Sequence, residues 1–146
     1  MNNTLSQNSI DIIKNSAELI TANDIAITQR MYELLFIKYP NLQELFKNAP
    51  DNQYMKLAEA LSAYAINIEK LDVLKPALAV IARVHVKVNI KPSHYPVIGM
   101  VLMQAIEDIL GERASIELID AWREAYKHIS FVLIEIEKEM YALQKT

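Results

Sequence analysis

Glycine is almost absent from this chain, which has only two among its 146 residues. Sandwiches and barrels of β-strands need many tight turns, and glycine supplies the backbone conformations that such turns require. Residues with high helix propensity dominate here instead, and 52% of the chain is apolar, enough to build a sizeable core. The composition therefore predicts an all-α fold, and the length predicts a single domain spanning residues 1–146.

Charge and cysteine content narrow the classes of function. The net charge is −3 and no basic patch with interleaved aromatic residues is present, so we expect no nucleic-acid partner. The absence of cysteine from the sequence excludes disulfides, iron–sulfur clusters and cysteine-ligated zinc sites. The first residues, MNNTLSQNS, do not resemble a signal peptide, and no apolar run is long enough to span a membrane. The expectation is a cytoplasmic protein without a membrane span.

Capping residues and apolar periodicity predict where the helices begin and end. Ser9 is predicted to cap a first helix that runs to about Ala22, and Asp24 to cap a second one that runs to Tyr39. Asp51 is the expected cap of the next long helix. Three later boundaries are predicted from helix-breaking and capping residues: a start at Pro92, a stop at Gly111 and a start at Ser115.

The stretch LKPALAVIARVHVKVNIKPSHY, residues 74–95, places a histidine on an apolar helix face. His85 shares that face, at spacings of three and four residues, with Leu74, Leu78, Ile81 and Val88. Taken alone, His85 is best explained as a hydrogen-bonded core residue. The alternative is a metal ligand, since haem iron is often held by one proximal histidine. His94 and His128 lie off the main apolar stripes and are predicted to be surface residues.

Four further polar or aromatic residues stand out, and each has a plain structural explanation. Tyr32 is predicted to point inward, where it would otherwise be a buried aromatic whose hydroxyl meets a backbone carbonyl. Phe46 would otherwise be core packing, and Gln53 a solvated residue in a first helical turn. Glu137 continues the apolar stripe of the last helix, but it stands between two other glutamates and would otherwise belong to a solvated acidic face.

The order of these features resembles a known family. Tyr32, Phe46 and Gln53 come in this order before His85, and the segments IKPSHYPVIG, DAWREAY and EKEMY follow it. The patterns HxxxxxKPxxYPxxG and DAWxxAY are specific when they occur together. The chain resembles the bacterial single-domain haemoglobins and the globin domain of flavohaemoglobins, and the resemblance covers nearly its whole length.

The resemblance implies a globin fold, a three-over-three helical sandwich that encloses haem b, which is iron protoporphyrin IX. His85 matches the proximal ligand of the haem iron. On the opposite, distal side the resemblance implies four cofactor-binding residues. They are Tyr32 and Gln53 as a polar pair, Leu57 one turn beyond the glutamine, and Phe46 as the aromatic that wedges the haem.

Tyr95 and Glu137 match a proximal hydrogen-bond relay to His85, and the resemblance assigns the catalytic contribution to them. A carboxylate that accepts from the second ring nitrogen of a ligating histidine fixes the ring and raises its basicity. A more electron-rich ligand helps bound O₂ to take negative character, which a distal donor such as Tyr32 then stabilises.

One position departs from the family pattern. Many relatives carry a lysine immediately before the proximal histidine, near a haem propionate. Here that residue is Val84, and the basic residue Arg83 lies one place earlier. A step of one residue turns a side chain by about 100° around a helix, so Arg83 need not reach the same group.

Two functions agree with the resemblance. The first is reversible binding and delivery of O₂ at a pentacoordinate-type iron, which would also take NO and CO. The alternative is a nitric oxide dioxygenase, which converts NO to nitrate, so the sequence leaves open whether the chain is an enzyme. Flavin and nicotinamide domains do not follow before Thr146, and a separate flavin/NAD(P)H reductase is therefore expected. A haem-free helical interaction domain is the remaining, more distant alternative.

Overall fold

The computed structural model describes residues 5–47, 49 and 52–144. All regular elements within these residues are helices, so the prediction of an all-α fold is confirmed. No helix in this described part is long and apolar enough to cross a membrane. The α-helices are α1 (Gln7–Lys38), α2 (Gln53–Ile66), α3 (Lys75–Lys87), α4 (His94–Leu110) and α5 (Ile116–Gln144), joined in part by 3₁₀ turns at Pro40–Phe46, Leu71–Leu74 and Gly111–Arg113.

The first helix is continuous, so the predicted division into two helices is wrong. The cap is Ser6, whose hydroxyl accepts a hydrogen bond from the Ser9 amide at 3.2 Å, and Ser9 itself lies inside the helix. Nothing between Ala22 and Asp24 stops the helix, because α1 contains neither proline nor glycine. The Asp24 carboxylate has a partner outside its own helix, since it accepts from the Ser62 hydroxyl of α2 at 2.7 Å.

The other predicted boundaries hold to within two residues where the structure describes them. Helix α4 begins two residues after Pro92, which lies in the turn before it. It ends at Gly111, whose φ of +57° is a conformation that favours glycine. The hydroxyl of Ser115 accepts from the Leu118 amide at 3.0 Å, as the predicted start of α5 requires. Asp51, the predicted cap of α2, lies outside the described residues.

Helix α1 is the centre of the packing, because it lies against α2, α4 and α5. Its largest fully buried side chains include Ile13, Ile20, Ile27 and Leu35. Helix α3 packs differently: within the described residues it lies against α5 and the 3₁₀ turn that precedes it. A second, smaller apolar cluster forms there, with Ala82, Ile90, Tyr95 and Leu133 as its buried members. The position of α3, and of His85 on it, is therefore set by α5.

A close approach between α4 and α5 depends on Gly99. A Cβ atom at this position would stand 2.5 Å from Cε2 of the Tyr126 ring, well inside van der Waals contact. The Tyr126 hydroxyl donates to the backbone carbonyl of Tyr95 at 2.7 Å. The missing side chain at Gly99 thus lets α5 hold the first turn of α4, where Tyr95 is located.

Candidate functional site

Three helices bring His85, Tyr95 and Glu137 into one hydrogen-bonded group. His85 comes from α3, Tyr95 from the first turn of α4 and Glu137 from α5. Nδ1 of His85 lies 2.9 Å from Oε2 of Glu137 and 3.0 Å from the Tyr95 hydroxyl. The Tyr95 hydroxyl donates to the same Glu137 oxygen at 2.7 Å. We refer to these three residues as the proximal trio.

The hydrogen bonds within the proximal trio decide which ring nitrogen of His85 carries the proton. A carboxylate only accepts, and the single proton of the Tyr95 hydroxyl already goes to Glu137. Nδ1 of His85 must therefore donate, and the proton is assigned to Nδ1 on this reasoning. Nε2 keeps its lone pair, and none of the described residues forms a hydrogen bond with it. An imidazole held in this way presents one free, basic nitrogen.

Burial distinguishes Glu137 from the glutamates on either side of it. Glu137 is 3% exposed, whereas Glu135 and Glu139 are exposed to solvent. The alternative that Glu137 belongs to a solvated acidic face is therefore wrong. Burial and the neighbouring Glu137 carboxylate raise the pKa of Tyr95 far above its usual range, so this hydroxyl remains a protonated donor.

Tyr32, which the resemblance places on the distal side, packs among aromatic rings. Its ring centroid lies 5.4 Å from that of Phe46 in an edge-on arrangement, and 5.8 Å from that of Phe36. Burial raises the pKa of Tyr32 to about 12, so the phenol is neutral at physiological pH. No described residue forms a hydrogen bond with its hydroxyl, and the expected alternative of a backbone carbonyl partner is not found among them. A half-buried donor without a protein partner is suited to a ligand.

A cavity of about 540 Å³ brings together three of the four predicted distal residues. Tyr32, Phe46 and Gln53 all line it, and the Gln53 amide has no hydrogen-bond partner among the described residues. Leu57 is not one of the lining residues; it is half-buried and packs against the main core. His85 does not line this cavity either, and it lies in the proximal trio on α3.

Several contacts near the site carry no recognisable signal in the sequence. The Thr28 hydroxyl of α1 donates to the backbone carbonyl of Tyr54 in α2 at 2.8 Å. The spacing of apolar residues predicts which side chains point inward, but it does not reveal a partner 26 residues away. The close approach at Gly99 is of the same kind, although its glycine stands within the HxxxxxKPxxYPxxG pattern.

The two remaining histidines are less exposed than predicted. His128 is half-buried, its Nδ1 lies 3.3 Å from the Tyr64 hydroxyl, and burial lowers its pKa. The surface assignment fails there because the Tyr64 side chain of α2 reaches across to α5, where its hydroxyl lies beside His128 and its ring centroid is 6.2 Å from that of Trp122. His94 is also half-buried, and its Nδ1 accepts from the Lys91 amide at 2.9 Å.

Val84 and Arg83, the two residues at the departure from the family pattern, are both exposed on α3. Val84 is 49% exposed, and Arg83 forms no ion pair with any described residue. The Arg83 guanidinium is therefore available to a group outside the chain.

Comparison with known proteins assigns the family. The family model described as Globin matches residues 29–133. This chain belongs to the globin family. It is 45% identical over 138 residues to an uncharacterized globin-like protein of Aquifex aeolicus, an alignment that covers 94% of this chain and 98% of that protein. It is 38% identical over 151 residues to a flavohemoprotein of Oceanobacillus iheyensis, covering 99% of this chain and 37% of that protein.

Solved structures give the same answer for the fold. An engineered carbene transferase, described as a candidate nitric oxide dioxygenase from Rhodothermus marinus, superposes with a TM-score of 0.95 at 33% identity, covering 98% of this globin and all of that chain. A bacterial globin from Campylobacter jejuni superposes with a TM-score of 0.85 at 30% identity, covering 94% and 99% of the two chains. The predicted globin fold is confirmed. The chain spans about a third of the length of the flavohemoproteins that it matches.

Family membership supports a haem cofactor, and the residues of this chain fit one. Nε2 of His85 has its lone pair free while Nδ1 is held by a carboxylate, which is the arrangement of a ligating histidine. Tyr32 and Gln53 offer hydrogen-bond donors without protein partners beside a cavity. Among the described residues no group of three or more His, Asp or Glu could hold a bare metal ion. These residues offer one histidine nitrogen, which suits a cofactor that brings its own metal and further ligands.

Proposed function

We propose that this globin holds haem b through Nε2 of His85 and binds O₂ reversibly on the side of Tyr32 and Gln53. The observation that carries the proposal is the proximal trio, in which Nδ1 of His85 is fixed by the buried carboxylate of Glu137 at 2.9 Å. A histidine that served only as a core residue would have no need of a buried carboxylate, because a neutral imidazole is satisfied by any hydrogen-bond acceptor.

Haem, when bound, supplies the iron at which O₂, NO or CO is taken. The protein sets the electron density that reaches that site through the proximal trio. Glu137 accepts a hydrogen bond from Nδ1 of His85 and makes Nε2 more basic, and the Tyr95 hydroxyl holds the Glu137 oxygen in place at 2.7 Å. A basic proximal nitrogen favours ligands that accept electron density, and O₂ is one of them.

The distal residues supply hydrogen bonds toward the ligand. Tyr32 is the stronger donor, because its phenol is neutral at physiological pH and its hydroxyl has no partner among the described residues. Gln53 begins α2 on the same cavity and adds a second, weaker donor. Both donors oppose the release of a ligand that carries partial negative charge.

The second candidate is a nitric oxide dioxygenase, and the strong distal donor Tyr32 favours it. A dioxygenase must hold O₂ until NO arrives, so slow O₂ dissociation favours its reaction. An O₂ carrier must instead release O₂ readily. The reaction NO + O₂ + e⁻ → NO₃⁻ consumes one electron per turnover, which a separate flavin/NAD(P)H reductase would supply. The similarity to flavohemoproteins and to a candidate nitric oxide dioxygenase supports this alternative. A cytoplasmic location, where NAD(P)H is available, is part of the proposal.

Stopped-flow mixing with NO separates the two functions. The O₂-loaded protein is mixed with NO, O₂ and NO are added again in successive cycles, and nitrate is measured with and without a flavin-dependent NAD(P)H reductase. A dioxygenase yields nitrate in proportion to the NAD(P)H consumed, whereas an O₂ carrier yields at most one nitrate per haem and stops. The matched control is His85→Ala, which should lose haem or its normal ferrous spectrum. A normal spectrum in that variant would contradict the haem assignment itself.

A further inference from the structure

We propose that Thr28 is a positioning residue that fixes Gln53 relative to Tyr32 on the distal side. The inference rests on the proposed O₂ binding, in which Gln53 and Tyr32 are the distal donors. Thr28 is fully buried in α1, one turn before Tyr32 and on the same face. Its hydroxyl donates to the backbone carbonyl of Tyr54 at 2.8 Å, and Tyr54 directly follows Gln53 in the first turn of α2.

The choice of acceptor at Thr28 indicates that the bond between the helices matters. The Thr28 hydroxyl has one proton and two carbonyls within reach, those of Ile25 at 3.2 Å and of Tyr54 at 2.8 Å. A threonine inside a helix commonly satisfies its hydroxyl on a carbonyl of its own preceding turn, as Ile25 would allow. The shorter distance leads to the other helix. A buried hydroxyl therefore joins α1 to the backbone that carries Gln53.

Among the described residues, no side chain caps the first turn of α2. Asn52, its N-cap residue, makes no side-chain capping hydrogen bond. The first amides of any helix have no partner within the helix, so an uncapped first turn is easily displaced. The other hydrogen bond between α1 and α2 in the described residues joins the side chains of Asp24 and Ser62, near the far end of α2. Thr28 thus joins α1 to the end of α2 that bears Gln53.

The position of Gln53 relative to Tyr32 should depend on the hydrogen bond between Thr28 and Tyr54. Gln53 and Tyr54 line the same cavity as Tyr32, so a shift of the first turn of α2 changes how the Gln53 amide meets a ligand. Hydrogen bonds weaken steeply as their angle and length depart from the optimum. Thr28 touches neither the cavity nor the ligand in this account, and it acts through Gln53.

Three variants of the haem-loaded protein test the positioning role. Thr28→Val keeps the branched shape and removes the proton, Thr28→Ser keeps the hydroxyl, and Ser62→Ala removes the other bond between the same two helices. We expect Thr28→Val to speed O₂ dissociation roughly two- to tenfold, the loss of about one ordinary hydrogen bond. It should also move the C–O stretching frequency of the CO complex toward that of Gln53→Leu. Thr28→Ser should restore both values, and Ser62→Ala should leave both unchanged although it also lowers stability.

The Gln53→Leu background shows whether Thr28 acts through Gln53. There Thr28→Val should have no further effect on O₂ dissociation or on the C–O frequency, because the residue it positions is gone. A further change in that background, or the same change in Ser62→Ala, overturns the proposal. If Thr28→Val does not retain haem, Thr28→Ala compared with Thr28→Ser makes the same test.

Failure of this inference is distinguishable from failure of the proposed function. If Tyr32→Phe and Gln53→Leu speed O₂ release but Thr28→Val does not, the positioning role is wrong and the distal donors stand. If neither Tyr32→Phe nor Gln53→Leu changes O₂ release, the proposed distal function is wrong and the role of Thr28 falls with it.

Discussion

At the scale of single residues, the polar groups of the candidate site differ in whether the protein satisfies their hydrogen bonds. Nδ1 of His85 meets both Glu137 and Tyr95, while the Tyr32 hydroxyl meets no described residue. Buried polar groups in proteins are nearly always paired, so a half-buried unpaired donor next to a cavity marks a place for a ligand. The two sides of the site can therefore be tested by separate substitutions.

On the proximal side we expect Glu137→Gln to lower the iron–histidine stretching frequency of the ferrous protein. The amide is a neutral acceptor, so its hydrogen bond with Nδ1 of His85 is weaker than that of the carboxylate. Nε2 is then less basic. Resonance Raman spectroscopy measures the change. Glu135→Gln, two residues earlier on the exposed face of α5, is the matched control and should leave the frequency unchanged. Equal frequencies in Glu137→Gln and wild type would remove Glu137 from the proximal relay.

On the distal side we expect Tyr32→Phe to release O₂ roughly tenfold to a hundredfold faster. A hydrogen bond to a charged group contributes about 1.5–3 kcal/mol, and 1.4 kcal/mol corresponds to one decade. CO takes less negative charge than O₂, so its release should change less. Stopped-flow displacement of O₂ measures the rate, with Tyr39→Phe, at the end of α1 and away from the cavity, as the control. Unchanged O₂ release in Tyr32→Phe would mean that the hydroxyl does not reach the ligand.

At the scale of elements, α5 is the support of the proximal side. It contributes Glu137, it packs against α3, and through the Tyr126 hydroxyl it holds the backbone of Tyr95 in α4 at 2.7 Å. The Tyr126 ring can lie there because Gly99 has no side chain. Burial raises the pKa of Tyr126 above its usual range, so this donor stays protonated at physiological pH. The close packing of α4 against α5 therefore helps to fix the position of Tyr95 in the candidate site.

We expect Gly99→Ala to lower the free energy of unfolding by about 1 kcal/mol. The added methyl group would meet the Tyr126 ring, and overpacking costs about 1–3 kcal/mol, partly offset by about 1 kcal/mol of gained helix propensity. Urea denaturation measures the change. In a Tyr126→Leu background the ring is gone, so the same substitution should become neutral or stabilising. Destabilisation by the same amount in both backgrounds would show that the ring is not the cause.

At the scale of the whole molecule, the residues of the predicted site stand on parts of the fold that are held separately. Tyr32 and Gln53 stand on α1 and α2, whereas His85 stands on α3, which packs against α5 within the described residues. The same packing buries several tyrosines, and burial raises the pKa of Tyr32, Tyr64, Tyr95 and Tyr126 above the ordinary value of 10.0. Alkaline pH should therefore affect the stability of the whole fold, because these tyrosines lie on four different helices.

We expect the stability of the protein to fall as the pH rises above 10. A folded chain whose tyrosines have raised pKa values keeps protons that the unfolded chain releases, so their contribution is complete below pH 10 and is lost above it. For Tyr32, with a pKa of about 12, the loss between pH 10 and 12 is about 2–3 kcal/mol. Urea midpoints at pH 8, 10 and 12 measure it, and Tyr64→Phe should flatten the decline. A constant midpoint over this range would contradict the burial of these phenols.

Local chemistry alone determined much of the architecture. The scarcity of glycine and the apolar periodicity predicted helices throughout, the glycine at Gly111 predicted the end of α4, and Ser115 predicted the start of α5. These features depend on backbone conformations and capping bonds within a few residues, and such preferences act before any tertiary contact exists. The resemblance added which polar residues could share a site, and it rested on the order of residues along the chain.

Only the tertiary structure decided the properties that depend on partners distant in sequence. Asp24 looked like a cap because capping residues and interior polar residues are the same types, and its partner Ser62 is 38 residues away. Glu137 could not be told from its neighbouring glutamates, because periodicity left a choice between adjacent positions and the partner is on α3. The bond from Thr28 to Tyr54 is invisible in sequence for the same reason. The sequence gives the chemical type of each polar side chain. Its hydrogen-bond partner, and hence its role, depends on which helices pack together.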